Sequence, residues 1–98
     1  DFRLLALRND TGPLWENYLL AERIKKQAYE GNPVQFYFWR SYNKQEVDLI
    51  ESDNGVIRAY EFKYTPGKKV KEPSGFAATY PQVDFKVISR DNYLDWIS

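Results

Sequence analysis

The segment Ala59-Tyr60-Glu61-Phe62-Lys63-Tyr64 sets a carboxylate and an ammonium two residues apart among aromatic side chains. On a strand, positions i and i+2 point to the same side. Glu61 and Lys63 would then share one face, with Tyr60, Phe62 and Tyr64 covering the other. Thirteen residues earlier stands Asp48, in Glu46-Val47-Asp48-Leu49-Ile50. If the two strands pair, two carboxylates and an ammonium converge. Mg²⁺ or Mn²⁺ suits such a place, because a hard divalent ion prefers oxygen ligands and keeps several waters. Asp48 and Glu61 would supply side-chain oxygens, the Phe62 carbonyl a third, and Lys63 would orient or deprotonate a water. The ion would stabilise charge developing on a phosphate oxygen. Glu16 reaches the same edge if its helix packs on the sheet; otherwise it is a helix-dipole partner. The rival reading of the set is an ordinary solvated sheet face.

The elements that must position these residues are legible. Asp10-Thr11-Gly12-Pro13 is a helix-start signal, and a helix is expected from Leu14 to about Tyr29. Its expected apolar stripe is Leu14, Tyr18, Ala21 and Ala28, with Leu20 and Ile24 beside it. Arg23, Lys25 and Lys26 suit the negative end of its dipole. Gly31-Asn32-Pro33 stops it. Strands are expected at Val34–Arg40, Glu46–Glu51 and Val56–Tyr64, with Asp53-Asn54-Gly55 as the hairpin between the last two. Glu72 to Tyr80 is ambiguous, since Pro73 could open a helix that Gly75 weakens. Val83–Ser89 alternates as a final strand, and Tyr93–Ile97 is a short terminal element. A meander followed by a crossover strand predicts an α/β sandwich around a mixed sheet. The aromatics Trp15, Tyr18, Phe36, Tyr37, Phe38 and Trp39 are read as packing residues rather than a base-stacking platform. Arg40 could pair with the carboxylates or contact phosphate. Glu46 is an auxiliary ligand or the exposed start of its strand.

Composition narrows the chemistry. The chain has 98 residues, enough for one domain over 1–98. It has neither cysteine nor histidine, which removes thiolate and imidazole ligands and histidine general bases. Lys plus Arg equals Asp plus Glu at 14 each, without the basic surplus usual in nucleic-acid binders. Lys68, Lys69 and Lys71 form the one lysine cluster, read as a solvated loop or a phosphate-tracking segment. No apolar run approaches the about 20 residues of a membrane helix, and no signal peptide is present. We expect a cytoplasmic protein without membrane contact. Opening on Asp1-Phe2-Arg3, it reads as the end of a longer chain.

Four segments, Gly12-Pro13-Leu14-Trp15-Glu16-Asn17, Tyr37-Phe38-Trp39-Arg40, Glu46-Val47-Asp48-Leu49-Ile50 and Glu61-Phe62-Lys63, resemble in order and spacing one particular domain. It is the carboxyl-terminal domain of unknown function of bacterial and archaeal AAA+-type ATPases, and the likeness runs from about Gly12 to Ser89. That domain in turn looks like the PD-(D/E)XK nucleases. The resemblance implies a restriction-endonuclease-like αβββαβ core with a mixed central sheet and flanking helices. It assigns Asp48 and Glu61 to the metal, Lys63 to the water and Glu16 to the helix carboxylate. It further implies DNA and an attached ATPase domain as partners, with homodimers common among such folds. ATP would belong only to that other domain, since no nucleotide-binding motif stands here. Glu72 to Tyr80 lacks the basic residues expected on the second helix. Two functions follow as expectations: a Mg²⁺- or Mn²⁺-dependent DNA endonuclease, or an inactive nuclease-fold module that binds DNA or regulates its ATPase.

Overall fold

Among the described residues eight elements follow one another: β1 (Phe2–Leu4), α1 (Leu14–Tyr29), β2 (Gln35–Arg40), β3 (Glu46–Asp53), β4 (Val56–Phe62), α2 (Ser74–Thr79), β5 (Asp84–Ile88) and α3 (Tyr93–Ile97). The computed structural model describes residues 2–4, 14–31, 33–41, 45–65 and 72–98. The turn expected at Asp10–Pro13, most of the Ser41–Gln45 loop, and Lys68, Lys69 and Lys71 lie outside the described residues.

The sheet runs β1-β2-β3-β4-β5. Its first three pairings are antiparallel, and β5 lies parallel to β4. This is the mixed sheet expected from the sequence, with β1 added as an unforeseen edge strand. The β3–β4 turn has Asn54 at φ 50° and Gly55 at φ 86°. Two left-handed residues make a type I′ turn, whose twist matches its flanking strands, and Asn-Gly is the pair that tolerates it.

Each face of the sheet carries a core. On one, Leu19 of α1 and Trp96 of α3 pack on Leu49, Tyr60, Phe62 and Ile88. On the other, Phe76 of α2 packs on Trp39, Val47, Ile50 and Ala59. Helix, sheet and helix thus form three layers. The ambiguous 72–80 stretch is helical at Ser74–Thr79 because another segment caps it. Pro73 has no N–H to give, and the loop residue Gln45 accepts from the Gly75 N–H at 3.0 Å and donates to Ser74 Oγ at 3.2 Å. A Cβ on Gly75 would stand 2.9 Å from Gln45 Oε1 and 3.5 Å from the Trp39 ring. Glycine is there for close approach.

The buried face of α1 differs from the expected one. Leu14, Tyr18 and Ile24 are exposed, as are Ala21 and Ala28. The inward row is Leu19, Arg23 and Gln27, continued outward by half-buried Trp15, Glu16 and Leu20. Arg23 faces the sheet because Glu51, fully buried on β3, pairs with it: Nε to Oε2 is 2.6 Å and Nη2 to Oε1 is 2.9 Å. The guanidinium also donates to the Trp96 carbonyl at 2.5 Å and lies over the Trp96 ring, 4.7 Å from its centroid. A hydropathy stripe cannot foresee an inward arginine. Bidentate pairing and aromatic stacking make it tolerable there.

Candidate functional site at the carboxyl ends of β4 and β5

Asp48 sits at an irregularity. Tyr37 pairs with Ile50 but Trp39 with Val47, so Phe38 faces two residues of β3, Asp48 and Leu49. Such a bulge breaks strict alternation and re-aims side chains. The burial pattern carries its mark: Val47 and Ile50, three apart, join one core, while Leu49 joins the other. Across to β4 the register runs as far as Leu49↔Tyr60, and just beyond it the Asp48 side chain meets that of Glu61. There Asp48 Oδ2 accepts the Phe62 N–H at 2.9 Å. A side chain thus takes the place of a ladder carbonyl. Since N–H and C=O of one strand residue point to the same neighbour, the Phe62 carbonyl is also directed toward β3.

Glu61 is half-buried and hydrogen-bonded to the Asp48 carboxyl. Its pKa is pushed up to about 9. Burial is the largest cause, the hydrogen bond to Asp48 and the Asp48 charge follow, and Glu16 adds to the rise. The Lys63 ammonium opposes it. Two carboxyl groups in contact cannot both ionise at ordinary cost, so without a cation the pair holds a proton. Lys63 itself is exposed, and its backbone N–H donates to the Ile88 carbonyl at 2.9 Å, extending the β4–β5 ladder.

The structure therefore brings Asp48, Glu61 and the Phe62 backbone into contact, with Lys63 and Glu16 within electrostatic reach of Glu61. It does not group a third carboxylate tightly with the pair: among the described residues no three acidic side chains are placed to hold a metal ion. Two carboxylates and a carbonyl still fit Mg²⁺, which commonly takes one or two carboxylates and completes its shell with water and phosphate oxygens. Arg40 and Glu46 are engaged with each other, Nη2 to Oε1 at 2.8 Å. Arg40 is thus spent on a neighbouring acid on the exposed surface.

Spacing alone missed Arg90. It follows β5, and its N–H donates to the Tyr64 carbonyl at 3.1 Å. A cation on one strand's exit and the aromatic on its parallel neighbour's exit become adjacent only when β4 and β5 are in register, Phe62 beside Ile88. The carboxyl ends of parallel strands are where open α/β sheets bind ligands.

A family model described as a domain of unknown function, DUF4143, matches residues 11–93. The chain belongs to the DUF4143 family. No curated protein and no solved structure matches the chain. Among the described residues no helix is long and apolar enough to cross a membrane.

Proposed function

We propose that this DUF4143 domain is a metal-dependent nuclease of PD-(D/E)XK type, hydrolysing phosphodiesters of DNA. The observation that carries the reading is the Asp48–Glu61 contact: two carboxyl groups on adjacent strands, in hydrogen-bond contact and, among the described residues, without an arginine between them. Such a pair is costly for folding alone and is relieved by a cation. Asp48, Glu61 and the Phe62 carbonyl would hold Mg²⁺ or Mn²⁺. When bound, the ion would supply positive charge against the oxygen charge that grows in phosphoryl transfer. The chain's own residues do the rest. The Phe62 N–H fixes the Asp48 carboxylate. Lys63, on the exposed exit of β4, donates hydrogen bonds that orient the attacking water. Glu16 adds negative charge that favours cation entry. The water oxygen bonds to phosphorus as the ester P–O bond breaks, and the departing oxygen takes up a proton.

A second reading has its own support. Helix α2 is Ser-Gly-Phe-Ala-Ala-Thr and carries no cation, although that helix would be expected to grip phosphate. This favours a nuclease-fold module without turnover, which binds DNA or regulates an attached AAA+-type ATPase. Supercoiled plasmid with Mg²⁺ separates the two. The nuclease reading expects nicking by the wild type and at least about 100-fold loss in Lys63→Met. Intact plasmid together with measured metal binding would move the assignment to the binding module.

A further inference from the structure

Tyr64 is the residue after Lys63, and 54% of its surface is exposed. Its ring is nonetheless held. Trp15 meets it edge-on, with centroids 5.2 Å apart and planes at 89°, and Tyr93 braces Trp15 from 6.0 Å. Arg90 lies over Tyr64, its guanidinium carbon 5.6 Å from the ring centroid. Of the four arginines whose side chains are described, Arg23, Arg40 and Arg58 each pair with carboxylates. Among the described residues none pairs with Arg90. An exposed ring whose orientation is already fixed loses little entropy on binding, and a cation beside it has charge to spare.

We propose that Tyr64 and Arg90 form a platform for one unpaired nucleotide, the ring stacking on its base and the guanidinium meeting its phosphate. This rests on the nuclease-type reading of the neighbouring carboxylates and names its substrate as single-stranded nucleic acid. The reason is geometric. Stacking needs the flat face of a base, which every base has and which a duplex keeps inside its own stack. A paired duplex offers only base edges and backbone. Tyr64 is joined through the chain to Lys63, and its brace Trp15 to Glu16. A nucleotide stacked there would lie at the same end of the sheet as the carboxylate pair. Arg90 supplies the phosphate contact that α2 lacks.

Fluorescence anisotropy tests this with labelled oligothymidylate of about twelve nucleotides and a duplex of equal length. EDTA keeps strands uncut. Wild type should prefer the single strand. Tyr64→Ala should weaken that binding about 10-fold or more, given about 1–3 kcal/mol per stacked base, while Tyr64→Phe stays within about two-fold. Arg90→Ala should reduce the slope of log affinity against log salt by about 0.7. Equal binding by Tyr64→Ala and wild type would overturn the platform, as would no single-strand binding by the wild type. A parallel Mn²⁺ titration keeps the failures apart. Metal bound without single-strand binding sinks the platform alone. Tyr64-dependent strand binding without metal binding sinks the nuclease reading and leaves the platform standing.

Discussion

Glu51 and Asp48 lie three residues apart on β3 and keep opposite company. Glu51 is fully buried, gripped by Arg23 in two hydrogen bonds and approached by Arg58 Nε at 3.3 Å. Arg58 in turn has its pKa raised: burial works against its charge, and the Glu51 carboxylate and the Asp53 hydrogen bond more than compensate. Asp48 faces a second carboxyl group, Glu61, whose pKa burial and the Asp48 contact push up to about 9. A balanced buried pair holds α1, β3 and α3 together and asks for no ligand. Under the proposed function, the unbalanced carboxyl pair at the strand end is the one that would take a cation. Acidic residues on one strand thus differ in role according to whether arginine reaches them.

The largest effects should come from breaking the balanced side. Arg23→Ala leaves buried Glu51 with only the single, longer Arg58 contact, and should cost about 3–5 kcal/mol, enough to unfold much of a small domain. Urea denaturation measures it. The double variant Arg23→Met/Glu51→Leu should recover most of that loss, since an apolar pair of similar volume replaces a buried ion pair at little cost. If the double variant is as unstable as the single one, the guanidinium's stacking on Trp96 matters more than its charge balance.

The unbalanced side should respond to pH instead. Glu61 binds its proton more tightly folded, at about 9, than unfolded, at 4.5. Between those values the folded state holds the extra proton, so metal-free stability falls as pH rises through the window and is lowest above about pH 9. Glu61→Gln keeps a hydrogen-bond donor toward Asp48 and cannot ionise. It should flatten most of that slope and stabilise the metal-free protein at pH 8 by about 1 kcal/mol, a Tm gain of roughly 5 °C. Thermal melts at pH 5 and 8 in EDTA would record this. A slope unchanged by Glu61→Gln would mean that the proton sits elsewhere.

The same contrast explains what the sequence reveals. Local signals were sufficient for α1, whose bounds Leu14–Tyr29 match the helix-former run, and for the hairpin, where Asn-Gly dictates a type I′ turn. The Asp48–Glu61 juxtaposition followed from two strands joined by that short turn, which fixes their register. Features that depend on remote partners stayed hidden. Arg23 faces inward because of Glu51, 28 positions away, so the apolar residues Leu14, Tyr18 and Ala21 pointed to the wrong face of α1. Helix α2 is capped by Gln45 from 30 positions away. The bulge at Asp48 arises from a mismatch with β2, and no residue type announces it. Arg90 meets Tyr64 only through a parallel pairing.

Calorimetric Mn²⁺ titration of wild type against Asp48→Asn tests the central claim most directly. Asparagine keeps an oxygen to accept the Phe62 N–H and removes only the charge, so the fold should survive the change. The account predicts saturable heat near about one ion per chain for the wild type, and none beyond dilution for Asp48→Asn. Equal heats from the two proteins, or no heat from either, would contradict it.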